Sequence, residues 1–300
     1  MDPFAAVGAS LQPVEGGWSG ETFLAEAGGE RSVVRIFADP RHGPHAAEVQ
    51  ESVLRLVRGL VPVPAVLDAR HADAATGMPA MLVTEHLPGV RGDLLLPRLA
   101  PPQREALGRA VGAVAADLAA MPQLRAGRFV DGDLRVAPGA EDLPTRVDRQ
   151  TEALAATGWS AAEVDALRAV ADEVEAELES VGRTSLVHGD LTLADLLLDE
   201  ATLSVTGVVD WERAHAGHPF TDLGSLLRLH RDPAYVAGVL EAWRQRHGTD
   251  PEAALDLARQ ADLPALVDLA VRAGEHPAAD AAAGLLRAIA ATGDVHAVAT

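Results

Sequence analysis

The chain has 300 residues, 48% of them hydrophobic, which is enough for a large buried core and long enough that two lobes or domains are expected. A net charge of −19 argues against nucleic-acid binding, which uses basic surfaces to displace counterions, and the absence of cysteine excludes disulfides, thiolate metal sites and cysteine nucleophiles. Met1-Asp2-Pro3-Phe4 does not open a signal peptide, and no apolar run approaches the ~18–20 residues of a membrane helix, so a soluble cytoplasmic protein with no membrane or nucleic-acid partner is expected.

From about residue 10 to 88 the pattern is mostly strand-like. A turn at Gly16-Gly17-Trp18-Ser19-Gly20 precedes Thr22 to Ala25, and a second at Gly28-Gly29 precedes a strand from Ser32 to Phe37. Val49, Val53, Leu56, Val57 and Leu60 recur at helical spacing over Ala46 to Leu60, until Pro62-Val63-Pro64 stops the helix. Strands follow at Ala65–Ala69 and Met81–Glu85, and Leu87-Pro88-Gly89 breaks the pattern. Beyond residue 90 helices dominate: one opened by Pro101-Pro102 through Met121, then Ala161–Glu179, Phe220–Leu229, Pro233–His247, Pro251–Ala261, Pro264–Ala273 and Ala278–Ala291. Gly127 to Leu143, rich in Gly, Pro and Asp, reads as an exposed loop. The break near residues 86–90 divides a sheet lobe, 1–86, from a helical lobe, 87–300.

Two short runs interrupt the helices, and each places an aspartate where an apolar stretch opens into a loop: Leu186-Val187-His188-Gly189-Asp190 and Val208-Val209-Asp210-Trp211-Glu212. They read as an apparent hairpin that presents two carboxylates from neighbouring strand ends. A lone His-Gly-Asp mostly marks a turn, but a second strand-Asp downstream favours chemistry. Phosphoryl transfer needs a base, metal ligands and a cation on the phosphates. Asp190 directly follows a strand and can accept a hydroxyl proton. Asp195 and Asp210 offer the hard oxygens that magnesium prefers, usually as one or two carboxylates beside phosphate oxygens. All 25 Lys+Arg side chains are arginines, so any phosphate contact ordinarily made by lysine falls to arginine.

His188-Gly189-Asp190-Leu191-Thr192-Leu193-Ala194-Asp195, then Gly207-Val208-Val209-Asp210-Trp211-Glu212, then Gly217-His218-Pro219-Phe220-Thr221-Asp222-Leu223-Gly224 together resemble the signature of the aminoglycoside phosphotransferase family. The resemblance implies a bilobal, protein-kinase-like α+β fold with an antiparallel-sheet N-lobe and a mainly helical C-lobe. It further implies transfer of the γ-phosphate of ATP or GTP to a hydroxyl, with Mg2+. By resemblance Asp190 is the catalytic base, Asp210 the principal metal ligand with Asp195 beside it, and Asp222 a brace for the catalytic loop. Arg35 stands at the family's phosphate-binding lysine and Asp195 at its metal-binding asparagine. The helix glutamate that pairs with that lysine falls on Gln50, with Glu48 and Glu51 as neighbours, and only one of the three can face Arg35 well.

Gly17-Trp18-Ser19-Gly20 resembles the family's nucleotide-covering loop, although a plain hairpin turn has the same sequence character. It misses the hydrolase elbow, since position 21 is Glu and a strand follows. Thr84-Glu85-His86 resembles the hinge that binds the nucleotide base through backbone groups. His42, His45, His215 and His218 read as loop histidines. Asp250, Glu252, Asp256, Asp268 and Glu275 either line a pocket for a cationic substrate or simply face solvent. The expected acceptor is a small hydroxylated molecule: an aminoglycoside or other antibiotic, making the protein a resistance factor, or an amino alcohol or sugar in metabolism. A catalytically impaired nucleotide-binding protein is the alternative of a different class. Either a monomer or a homodimer is compatible with the sequence.

Overall fold

The computed structural model describes residues 10–13, 22–39, 42–73, 75–137, 139 and 141–299. Contacts divide the chain into two compact units, each drawn from separate stretches: 1–95, 128–137 and 194–214 in one, and 96–127, 138–193 and 215–300 in the other. Elements are numbered in chain order.

The first unit holds a five-stranded antiparallel sheet in the order β1-β2-β3-β5-β4, made of β1 (Ser10–Pro13), β2 (Thr22–Ala27), β3 (Glu30–Phe37), β4 (Val66–Arg70) and β5 (Ala80–Glu85). β2 and β3 form a hairpin about Gly28-Gly29, and the register sets Arg35 opposite Thr22 on one side and Leu82 on the other. Helix α1 (Ala46–Val57) buries Ala47, Gln50, Val53, Leu54 and Val57, an i, i+3, i+4, i+7 stripe. It ends three residues short of the expected Leu60, because Arg58 is already extended ahead of Gly59 and Pro62. β6 (Val90–Arg91) leads into α2 (Gly92–Leu95) and forms the edge of a second sheet, ordered β11-β10-β6, with β10 (Leu196–Leu198) and β11 (Val205–Val208).

The second unit is mostly helical: α3 (Pro101–Ala119), α4 (Leu143–Ala156), α5 (Ala161–Glu179), α6 (Thr221–Leu227), α7 (Pro233–His247), α8 (Pro251–Ala261), α9 (Leu263–Ala270) and α10 (Pro277–Thr292). In its small sheet β9 (Thr184–Val187) lies between β7 (Pro122–Gln123) and β12 (His215–Gly217), and β8 (Gly127–Arg128) is at the edge. Side chains of Asp142, Ser160, Asp232 and Asp250 accept backbone N–H groups at the starts of α4, α5, α7 and α8, and proline occupies the first turn of three of these four. Helix α4 was not anticipated. Its apolar face is thin, with only Leu143, Val147 and Leu154 buried, and the Asp142 cap defines its start. These residues join Leu167 of α5, Val267 of α9 and Leu286 of α10 in the core.

The expected hairpin between the two aspartate strands does not form. β9, before Asp190, pairs with β7 and β12, while β11, before Asp210, pairs with β10. The 3-10 turn Leu193–Asp195 starts a new strand directly after the Asp190 loop, and that strand, short and wholly apolar, takes β11 as its hairpin partner.

Helices α3 and α7 approach at glycine. A Cβ on Gly238 would lie 2.1 Å from the Glu105 carbonyl oxygen, and one on Gly108 would lie 2.3 Å from that of Tyr235. Gly238→Ala should therefore cost roughly 1–3 kcal/mol or more in urea unfolding, against the ~1 kcal/mol gain that alanine brings to an open helix position. An unchanged midpoint would show that the helices separate at no cost.

Stability also has a pH signature. Burial pushes the His218 imidazole from 6.5 down to about 4. The folded state thus holds a neutral ring where the unfolded chain takes up a proton. This contribution is complete above pH 6.5 and is lost as pH falls toward 4. His218→Gln should flatten the fall of Tm over that interval; parallel curves for the two proteins would count against it.

Candidate active site

The loop after β9 is shaped by a residue without a Cβ. Gly189 has φ +88°, the left-handed region where glycine is unstrained, and the chain turns there to present Asp190. The turn is tied down by Asp222, on the first turn of α6: its Oδ2 accepts the His188 N–H at 2.8 Å and its Oδ1 the Gly189 N–H at 2.9 Å. Burial raises the Asp222 carboxyl above its ordinary range, although His188 and the two backbone donors oppose that.

Asp190 Oδ1 accepts a hydrogen bond from Arg228 Nη1 at 3.0 Å. Arg228 is the C-cap residue of α6 and only 7% exposed. Its Nε donates to both oxygens of buried Asp262, at 2.9 and 3.1 Å. Its Nη2 donates to Asp262 Oδ1 at 2.9 Å and to Ser225 Oγ at 3.2 Å. Burial alone would lower the Arg228 pKa, but Asp262 and Asp190 outweigh it and raise it. The Asp262 carboxyl is raised by burial, with Arg228 pulling the other way. Neither Arg228 nor Asp262 was singled out from the sequence; a lone Arg seven residues past the Thr-Asp-Leu-Gly motif's Thr gives no local signal, and Asp262 reads as an ordinary helix end.

In the other unit, Asp210 follows β11 with φ +65° and ψ +51°, a left-handed conformation that Asp tolerates better than most residues. The Val209 N–H donates to the Asp195 carbonyl at 2.9 Å, which sets the backbone of Asp195 beside the strand end before Asp210. Arg35, on β3, donates from Nη1 to Asp210 Oδ1 at 3.0 Å and forms an ion pair with Glu212. Its side chain is 10% exposed and Asp210's 52%, so a buried cation meets a carboxylate that also faces solvent.

The partner expected from α1 differs. Glu48 does not meet Arg35: its carboxylate binds Nδ1 of His45 and Nδ1 of His71, each at 2.6 Å. Glu51 pairs with Arg55 at 2.6 Å. The helix stripe turns Gln50 inward instead, 7% exposed, and its Oε1 has no hydrogen-bond partner, as is also true of Arg35 Nε. Glu212, two residues past Asp210, takes the carboxylate role that the helix was expected to fill. Thr84 is buried in β5, opposite Val33, and His86 follows the strand. Ser19 and Gly20 lie outside the described residues. Four of the five acidic residues named in the C-terminal helices serve local structure: Asp250 caps α8, Asp268 pairs with Arg146, Asp256 with His296, and Glu275 with Arg272, while Glu252 is exposed in the first turn of α8.

Among the described residues no group of three or more His, Asp or Glu side chains forms a metal site by itself. Magnesium at phosphoryl-transfer sites does not need one, since one or two carboxylates suffice when phosphate and water fill the remaining positions. The oxygen-only donors Asp210 and Asp195 fit that chemistry.

An antiparallel-sheet unit, a helical unit and a carboxylate loop of this form define a phosphotransferase of the protein-kinase-like fold. The chain belongs to the phosphotransferase enzyme family, which it matches over residues 10–257. It is 31% identical over 198 residues to the aminoglycoside 3'-phosphotransferase of Streptomyces fradiae, covering 63% of this chain and 67% of that protein. It is also 31% identical over 186 residues, 60% of its length, to acyl-CoA dehydrogenase family member 10 of Mus musculus, but spans only 16% of that protein. Among solved structures it is similar to a microcompartment-associated aminopropanol kinase, with TM-score 0.68, 24% identity, and 94% and 89% of the two chains covered. It is similar also to a thermostable mutant of aminoglycoside phosphotransferase APH(4)-Ia in ternary complex with ADP and hygromycin B, with TM-score 0.66, 19% identity and 97% of each chain covered.

Asp222→Ala would leave two N–H groups of the Asp190 loop without their acceptor. At ~1–3 kcal/mol for each unsatisfied buried group, the variant should lose at least about 2 kcal/mol of unfolding free energy. Asp222→Asn keeps one acceptor oxygen and should lose less. Equal stability of Asp222→Ala and the wild type, measured by urea titration, would rule out the brace.

Proposed function

We propose that the protein transfers the γ-phosphate of ATP or GTP to a hydroxyl of a small molecule. The observation that carries this reading is the contact of Arg35 with Asp210: a guanidinium suited to phosphate oxygens lies 3.0 Å from a carboxylate suited to the metal that binds the same phosphates. Asp190 orients the acceptor hydroxyl and takes its proton as the hydroxyl oxygen bonds to the γ-phosphorus. The bond from that phosphorus to the β-phosphate oxygen breaks, and the nucleoside diphosphate leaves. Arg35 binds the α/β-phosphates, and the backbone at Thr84 and His86 receives the base. Magnesium, when bound, supplies charge neutralisation on the phosphate oxygens, with Asp210 and Asp195 as its protein ligands.

The acceptor class we favour is a hydroxyl carried by an amine-bearing molecule, an aminoglycoside or a simpler amino alcohol. The family relationship supports both, through the aminoglycoside 3'-phosphotransferase and the aminopropanol kinase. Resistance is the biological role if the acceptor is an antibiotic. A catalytically impaired nucleotide binder is the second reading. Its support is Gln50, buried with Oε1 unpartnered where a glutamate would pair with the strand cation.

The test is product formation from Mg·ATP or Mg·GTP across a panel of aminoglycosides and amino alcohols. Asp190→Asn should lower kcat by ~10²–10⁴-fold, the usual contribution of a positioned general base, while nucleotide binding persists. Product from no acceptor, or full activity in the Asp190→Asn protein, would refute the mechanism.

A further inference from the structure

We infer that Arg228 is the positioning residue of the phosphoryl-transfer step, aiming the Asp190 carboxylate from a mount fixed by Asp262 and Ser225; the inference rests on Asp190 being the base. Arg228 makes its contacts with a rigid planar fork. One edge, Nε with Nη2, is occupied by Asp262, and Nη2 also meets Ser225 Oγ. The remaining nitrogen, Nη1, reaches Asp190 Oδ1 at 3.0 Å. A planar group held on one edge cannot swing at the other, so the direction of the Asp190 bond is set by the position of Asp262.

Asp262 is itself fixed by helix contact. Gly224 of α6 faces it: a Cβ on Gly224 would lie 2.2 Å from the Ala258 carbonyl oxygen of α8 and 2.9 Å from Asp262 Cβ. The two helices therefore meet at backbone distance, and Asp262 lies directly after α8. The side chains of Arg228 and Asp262 are 6% and 4% exposed, against 34% for Asp190. Two enclosed groups thus carry a partly open one, as expected of a support behind a reacting group.

The same helix holds the backbone of the loop. Asp222 and Arg228 are six positions apart, about 9 Å along an axis rising ~1.5 Å per residue. Asp222 binds the N–H groups of His188 and Gly189, and Arg228 binds the next side chain. One short helix, α6, therefore sets both the path of the loop and the aim of its carboxylate. Effective catalysis requires such placement, since a displacement of ~1 Å at the reacting group can cost ~10²-fold in rate.

The experiment compares wild type, Arg228→Lys and the double variant Arg228→Gln/Asp262→Asn. The double variant removes both buried charges together, so that neither is left unpaired and the fold has its best chance of surviving. Initial-rate kinetics are measured with Mg·ATP, using 1-amino-2-propanol and hygromycin B as acceptors and water as the acceptor common to all. Circular dichroism and nucleotide titration run in parallel. The double variant is expected to fold, to bind Mg·ATP within about threefold of wild type, and to lose ~10²-fold in kcat with little change in the nucleotide KM. Arg228→Lys, which keeps the charge without the fork, is expected to recover part of that loss. Wild-type kcat in the folded double variant would overturn the role of Arg228 and leave the kinase reading standing. Should the double variant not fold, Arg228→Lys decides alone: an undiminished kcat overturns the inference and a selective fall in kcat supports it. A wild-type protein that releases no product to any acceptor, water included, would overturn the kinase reading and this inference together.

Discussion

The Asp190 loop depends on how two charges are kept out of water. Asp222 and Arg228 stand at opposite ends of α6, both almost fully enclosed; Asp222 is satisfied by the N–H groups of the loop, and Arg228 by Asp190, by Asp262 after α8 and by Ser225 of α6 itself. An enclosed charge without partners costs several kcal/mol, so neither group can let go without the fold losing stability. The backbone turn at Gly189, the exposure of Asp190 and the approach of α8 through Gly224 all follow from satisfying these two groups. The path of the loop and local stability are here the same constraint.

The Arg35 site follows a different logic. Lysine would bring a compact ammonium to a strand position facing a carboxylate; arginine brings a fork that needs two acceptors in a plane. The structure supplies them as Asp210 and Glu212, which belong to one short stretch after β11. Glutamate on α1 is then not needed for charge balance, and a neutral Gln50 on the buried stripe is consistent with that. Arg35 is thus balanced by Asp210 and Glu212, without a carboxylate from α1.

Much of this was legible in the sequence, and the boundary has a physical cause. Helices α7 and α8 begin with a capping side chain and proline, and the sequence shows both of their ends; α4 has the same kind of start but only three buried apolar residues, and it stayed hidden. The His-Gly-Asp turn and the later Asp-Trp-Glu were equally visible, because the resemblance they carry rests on particular residues at fixed spacing. Strand pairing was not. β9 and β11 look like partners because both are short and apolar, and nothing local reveals that Leu196–Leu198 intervenes as a strand of its own. The choice among Glu48, Gln50 and Glu51 turned on helix phase, which a few residues of register decide. Arg228 and Asp262 were invisible for a stronger reason: they are 34 positions apart and meet only because two helices touch at a glycine.

The acidity of the chain has to be read against the same structure. A net charge of −19 invites the idea of a pocket built for a polycation. Yet several carboxylates of the C-terminal helices are engaged locally: Asp250 in starting α8, Asp268 with Arg146, Asp256 with His296, and Asp262 with Arg228. Surface acidity screened over a Debye length of about 8 Å selects weakly between amines, whereas a placed carboxylate selects strongly. For the amine-bearing acceptors proposed above, discrimination would therefore fall to placed groups and not to the overall charge of the protein.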